Sequence, residues 1–159
     1  MPINVARIDD RLIHGQVITT WVKNYDIEQV LVINDKVAND KVQQSVLTMS
    51  APAGLKVLVF GVQQFIEILK KTPIKKRTML LFTNSIDVDV MVSAGLELEK
   101  LNVGGMRMQN GRHQLSRAVS VTPEEEQAFK NLINKNVIVE VQMVPKDPIV
   151  LLKSLISNS

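Results

Sequence analysis

Close behind the amino terminus the chain gathers Arg7, Asp9, Asp10, Arg11, His14, Gly15 and Gln16 into one short stretch, and no other stretch holds such a mixture of groups. A neutral imidazole nitrogen is nucleophilic near pH 7, so His14 could attack a phosphorus centre. Phosphoryl transfer asks the protein for positioning, and for cations or N–H donors that hold the equatorial oxygens. Arg11 could offer a forked guanidinium to two of those oxygens. Gly15 and Gln16 open the following helix, where free N–H groups favour an anion. Asp9 or Asp10 could hold the other ring nitrogen and fix its tautomer. Arg7 either faces the phosphate or closes a salt bridge. On residue types alone a bland reading stands level: His14 satisfies a loop hydrogen bond and Arg11 pairs with Asp10.

The elements that must position these groups follow from hydrophobic period. Residues 3–8, 29–33, 55–60 and 77–83 read as buried strands, and 101–103, 115–121 and 137–143 as further strand-like runs. Between them Val17, Ile18, Trp21, Val22 and Tyr25 recur at helical spacing, as do Val62, Phe65, Ile66 and Leu69, and Ala128, Phe129, Leu132 and Ile133. Val42, Val46 and Met49 mark another helix, Val88, Met91 and Ala94 a weaker one, and Leu151, Leu152, Leu155 and Ile156 a terminal one. Thr122-Pro123-Glu124-Glu125 is a helix start, with Thr as N-cap and Glu three residues on. The alternation predicts an α/β fold: an open, mainly parallel twisted sheet of about seven strands with helices on both faces. The interval 101–121 breaks the rhythm and predicts some antiparallel pairing. No composition shift or repeat divides the chain, so 1–159 is expected to be a single domain, with 157–159 frayed.

In such sheets ligands bind beyond the carboxyl ends of the strands. The loop after the first strand is the richest of those ends, and Asn34-Asp35, Gly61, Thr83-Asn84 and Gly104-Gly105 are the others. Asp35 could bond the first loop and help seat a phosphate, or cap the next helix. Gly61 permits a tight strand-to-helix turn. Gly104-Gly105 fits neither glycine-rich nucleotide fingerprint. Arg112, His113 and Arg117 form either a docking patch or a solvated hairpin, and Trp21 reads as core rather than as a ligand stack.

Composition closes other routes. There is no cysteine and there are only two histidines, which leaves no thiolate chemistry and little material for a metal site; no metal and no cofactor are expected. A net charge of +3 leans towards anionic partners. Aromatics at 4% and the lack of a basic run beside stacking residues disfavour nucleic acid. The basic group Lys70-Lys71 with Lys75-Lys76-Arg77 reads as a solvated helix end. Met1-Pro2-Ile3-Asn4 does not open a signal peptide, and no apolar run reaches bilayer length, so a cytoplasmic chain is expected.

The run Arg7-Ile8-Asp9-Asp10-Arg11-Leu12-Ile13-His14-Gly15-Gln16-Val17, followed by Trp21, closely resembles the opening of the mannose/fructose/sorbose family of IIB subunits of the bacterial sugar phosphotransferase system. Residues 32–40 and Asn102-Val103-Gly104-Gly105-Met106 extend the likeness over essentially the whole chain. The resemblance implies an open, mainly parallel α/β sheet and a phosphocarrier. His14 would take phosphate on Nδ1 from a IIA partner and give it to a hexose-type sugar held by the membrane IIC and IID subunits, beside which the chain would sit. In that reading Arg11 and Asp10 serve the reaction, and Arg7, Gly15, Gln16 and Asp35 the phosphate. The family often has lysine at the place of His113. Which sugar is moved is not readable, because the membrane subunits hold it. The competing reading is a non-catalytic regulatory module that binds a sugar phosphate or a partner protein. A nucleotide-using enzyme is disfavoured by the missing glycine fingerprints.

Overall fold

Nine strands, six α-helices and a single 3-10 turn form along the computed structural model, which describes residues 3–156. In chain order they are β1 (Ile3–Asp9), α1 (Val17–Tyr25), β2 (Gln29–Ile33), α2 (Asp35–Ala38), α3 (Lys41–Ser50), β3 (Lys56–Phe60), α4 (Val62–Lys71), β4 (Thr78–Phe82), α5 (Ser85–Ser93), β5 (Lys100–Gly105), β6 (His113–Gln114), β7 (Ser120–Val121), α6 (Pro123–Asn134), β8 (Ile138–Val141) and β9 (Val150–Leu151). Seven strands make one sheet in the order β3-β2-β4-β1-β5-β8-β9. Every pairing in it is parallel except β8 with β9. This is the α/β architecture the alternation predicts.

β1 therefore lies inside the sheet, between β4 and β5. A strand covered on both faces must be apolar almost throughout, and β4 is buried at all five positions. One face carries α1 and α3 over Val5, Val30, Val32, Met79 and Leu81. The other carries α4, α5 and α6 over Ala6, Ile8, Leu80, Phe82 and Val103. Winding runs outward from β1 through β2 to β3, returns to β4, and then crosses to β5. The direction reverses at the β4–β1 border, the place where ligand crevices open in such sheets. A polar crevice of about 400 Å³ lies there, lined by Asp10, Asn34, Thr83, Asn84 and Arg112 among others. Larger cavities, such as one of about 480 Å³ beside Ile3, Ile74 and Leu96, open at the amino ends of the strands, away from the His14 loop.

Three expectations need correction. The helix marked by Val42, Val46 and Met49 exists as α3, but those residues are exposed and Leu47 is the buried one. Gln44 decides the phase: its amide donates to the carbonyls of Val37 and Ala38, which turns the Gln44–Leu47 side inward. The run 115–121 is not a strand. Leu115 and Ser116 both donate to the Val119 carbonyl, and that turn leaves only the two-residue antiparallel pair β6–β7. The terminal helix is replaced by β9 and the 3-10 turn Leu152–Ser154, because antiparallel pairing with β8 brings Leu152 into the core. The expected fraying of 157–159 lies outside the described residues. The Thr122 start of α6 forms as read, with Thr122 Oγ1 accepting from Glu125 N–H and Glu125 Oε1 from Thr122 N–H.

Candidate functional site

Side chains along a strand alternate between faces, so Arg7 and Asp9 project from the same side of β1 as Val5, towards α1. After Asp9 the chain turns back at once. Leu12 N–H donates to the Asp9 carbonyl at 2.9 Å, and Arg11 N–H donates to Asp9 Oδ1 at 3.1 Å. Leu12 takes a left-handed conformation, φ +60°, that a branched side chain seldom adopts. Burial of Leu12 and Ile13 against Ile18 and Trp21 holds it there. The two apolar anchors leave Arg11 and His14 on the outside of the loop.

The return brings His14 Nε2 to 2.9 Å from Asp9 Oδ2, with the histidine side chain 21% exposed and Asp9 only 2%. A carboxylate so buried needs a counter-charge. Arg7 supplies it: Nη2 donates to the same Oδ2 at 3.1 Å, while Nη1 donates to Asn102 Oδ1 and to the Gln142 carbonyl. The guanidinium also lies 5.1 Å from the centre of the Trp21 ring, and Trp21 Nε1–H is fixed on the Met143 carbonyl at 2.8 Å. Burial pulls Arg7 below the ordinary arginine range; Asp9 opposes that, and the nearby charge of Arg11 adds to it. The group remains a cation, as arginine does in proteins.

With its Nε2 proton donated to Asp9, His14 keeps a lone pair on Nδ1, which has no hydrogen-bond partner among the described residues. That is the nucleophilic tautomer, on a ring that reaches solvent. Arg11 is exposed, and its guanidinium meets no hydrogen-bond or ion-pair partner among the described residues. Gly15 adopts φ +52° with nothing within 4 Å of where a Cβ would stand. Gln16 then begins α1 without a side-chain cap, so the N–H groups of the first turn remain available. A nucleophile, a free cation and open amide donors thus stand together.

The model of the family described as PTS system sorbose subfamily IIB component matches residues 3–159. The chain belongs to this family. It is 40% identical over 149 residues to the sorbose-specific EIIB component of Klebsiella pneumoniae, covering 93% of this chain and 91% of that one. It is 41% identical over 159 residues to the mannose-specific EIIAB component of Escherichia coli (strain K12), covering 99% of this chain and 49% of the relative. The chain thus spans about half the length of the mannose-specific relatives it matches. The crystal structure of the IIBSor domain of the Klebsiella pneumoniae sorbose permease superposes with a TM-score of 0.91 at 39% identity, covering 98% of this chain and 96% of that one.

Within this IIB fold several residues stand elsewhere than the sequence placed them. Arg7 is not free for a phosphate: it is 1% exposed and consumed by Asp9, Asn102 and Gln142. Asp10 does not reach His14. Its carboxylate accepts from Arg107 N–H at 2.8 Å, Arg107 Nε at 3.1 Å and Arg112 Nη1 at 3.0 Å. Arg112, with its side chain 7% exposed, also forks onto Glu125 at 2.9 and 2.8 Å, so it is neither a docking group nor solvated. Burial opposes its charge, but Glu125 and Asp10 outweigh that and hold Arg112 above the ordinary arginine value. Asp35 does not face the first loop either. Its Oδ1 accepts from Val62 N–H at 2.8 Å at the start of α4, and Asn34 takes the cap of α2. Burial pushes the nearby Asp87 carboxyl upward, against an Asn84 hydrogen bond and with the Asp35 charge adding to the rise. An anion has no reason to settle there.

Asp9, which the residue types left level with Asp10 and which the resemblance passed over in favour of Asp10, is the acid that meets His14. The signal was present: period two places Asp9 beside Arg7, and the next residue leaves the strand. Asn102 and Trp21, which hold Arg7, carried no chemical signal of their own. Among the described residues no group of three or more histidines or acids is arranged to hold a metal ion.

Proposed function

We propose that this chain is a phosphocarrier of a sugar phosphotransferase system, with Nδ1 of His14 as the atom that carries the phosphoryl group. The observation that supports it best is the hydrogen bond from His14 Nε2 to buried Asp9, which leaves Nδ1 unprotonated on a partly exposed ring. In the first step the Nδ1 lone pair forms a bond to phosphorus while the N–P bond of a phosphohistidine on a IIA partner breaks. The proton on Nε2 stays hydrogen-bonded to Asp9 throughout. In the second step a hydroxyl oxygen of a hexose-type sugar forms the P–O bond, the hydroxyl proton goes to a base beside the sugar, and the N–P bond to His14 breaks. The sugar is held by membrane IIC and IID subunits, so the chain works at the cytoplasmic face of the membrane. Among the described residues no helix is long and apolar enough to cross it.

Charge is the main difficulty of both steps, since the phosphoryl group is anionic and Asp9 is close by. Arg7 answers Asp9 from behind. Arg11 is the cation left for the equatorial oxygens, with the open N–H groups after Gly15 and Gln16 beside it. Asp10 fastens the loop to Arg107 and Arg112 and takes no part in bond exchange.

The test is the chemistry of the bond. Incubation with a phosphorylated IIA donor should label the protein on His14, and the label should be lost in acid and kept in mild base. A base-labile label that disappears with Asp9→Asn or Asp10→Asn would make a carboxylate the carrier and overturn the reading.

A further inference from the structure

Gly104, near the end of β5, has no chemistry of its own, yet the Arg7 guanidinium lies directly against it. In the parallel pairing of β1 with β5, Arg7 stands opposite Asn102 and Ile8 opposite Val103, but Asp9 stands opposite Gly105. Gly104 is the residue skipped where the register shifts. It lies two positions from Asn102, and it turns to the Arg7 face of the sheet. A Cβ built there would fall 2.0 Å from Arg7 Nη2, 2.1 Å from Cζ and 2.5 Å from Nη1. A flexible side chain in solvent could swing away from such a contact. Arg7 cannot do so freely, because Asn102, Gln142, Asp9 and Trp21 enclose it.

We propose that Gly104 is a positioning residue for phosphoryl transfer: its missing side chain makes the seat of the Arg7 guanidinium, which holds Asp9 on Nε2 of His14 and thereby fixes the ring tautomer. The inference rests on the reading of His14 as the phosphoryl acceptor. Its physical core is that Arg7 Nη2 and His14 Nε2 share a single oxygen, Asp9 Oδ2, at 3.1 and 2.9 Å. Displacing the guanidinium leaves Asp9 held only through Oδ1, by Arg11 N–H, so Oδ2 loses the partner that aims it at His14 and with it goes the one contact that distinguishes the two ring nitrogens. Gly105 gives an internal contrast. A Cβ there would meet Asp9 Oδ1 at 3.6 Å, an ordinary contact.

The experiment is a mutant cycle of Gly104→Ala and Arg7→Met in the full chain, with Gly105→Ala as control. Two quantities are read: the ring 15N shifts of His14, which report where the proton sits, and the rate of phosphate uptake from a phosphorylated IIA donor. Gly104→Ala should mix the two tautomers and slow uptake by about 10- to 100-fold, chiefly in kcat and not in the KM for the donor. In the Arg7→Met background the same glycine change should alter neither quantity further, because the clash has already gone. Gly105→Ala should keep the single tautomer. If Gly104→Ala fails to fold alone, adding Arg7→Met together with Asp9→Asn should restore folding, since the guanidinium that the methyl strikes and the buried carboxylate it neutralised are then both gone. Equal losses in both backgrounds, an unchanged tautomer, or a triple variant that also fails to fold would each overturn the proposal. Failure of wild type to label His14 would instead overturn the phosphocarrier reading, and the ring shifts would still judge Gly104.

Discussion

The molecule carries two histidines, each within about 3 Å of a carboxylate, and only one of them is built into a site. His14 Nε2 lies 2.9 Å from Asp9, an acid 2% exposed and backed by a buried arginine. His113 Nε2 lies 3.1 Å from Glu126, with the histidine 53% exposed and Lys130 3.9 Å from the other Glu126 oxygen. The distances hardly differ. What differs is what stands behind the acid. Asp9 is held in place, because Arg7 is itself held by Asn102, Gln142 and Trp21, whereas the Glu126 carboxylate is met, among the described residues, only by His113 and Lys130, which have no such support behind them. A surface ion pair of that kind is worth little and fixes little. Layered support, and not the pair itself, marks the site.

The sharpest break of the comparison is to remove each imidazole in turn. His14→Ala should abolish phosphate uptake while circular dichroism shows an intact fold, since a partly exposed loop residue contributes little packing. Retained labelling in a folded variant would undo the assignment. Next in size is Arg11→Lys, which keeps the charge and loses the planar two-point contact. Its transfer rate should fall by ~10²–10³, the cost of one contact made in a transition state; equal rates would make Arg11 a bystander.

Asp9 and Asp10 sharpen the contrast further, because adjacent residues should fail in different ways. Asp9→Asn should slow uptake by roughly 10²-fold, since an amide can present its NH2 to the ring and spoil the tautomer. Asp10→Asn should leave the rate within a few-fold. It should instead lower stability to urea by roughly 1–3 kcal/mol, the cost of weakening a buried charged hydrogen-bond group. A reversed pattern would return Asp10 to the reaction. The smallest effect belongs to His113→Gln, which should change uptake by less than about twofold, as expected for an exposed pair. A loss like that of His14→Ala would mean the β6–β7 hairpin enters the chemistry.

The contrast between adjacent residues also shows what could be read in advance. The order of strands and helices was legible because buried strands and amphipathic helices have different hydrophobic periods. The loop around His14 was legible because charged and nucleophilic groups crowd there after the first strand. Direction was harder. Val42, Val46 and Met49 mark a helical face by spacing, yet only the Gln44 hydrogen bonds decide that this face looks outward. Arg7 stood open between phosphate ligand and salt-bridge partner, and the salt bridge to Asp9 is what forms, because its other partners, Asn102 and the Gln142 carbonyl, are remote in sequence. Asp35 stood open between loop partner and helix cap because nothing local shows that Val62 N–H will arrive beside it. Long-range pairing is what single-sequence reasoning lacks.

The interior position of β1 also sets an order of assembly. This strand precedes its neighbours β4 and β5 by about 70 and 95 residues along the chain, and the Arg7–Asn102 hydrogen bond closes a separation of 95 residues. Contacts so remote along the chain form slowly, because a large loop must close before they return any energy. A growing polypeptide therefore exposes His14 long before Asp9 has a buried place in which to orient it. The fixed tautomer is withheld until β5 has emerged and docked, so an unfinished chain presents a histidine whose proton is free to sit on either ring nitrogen.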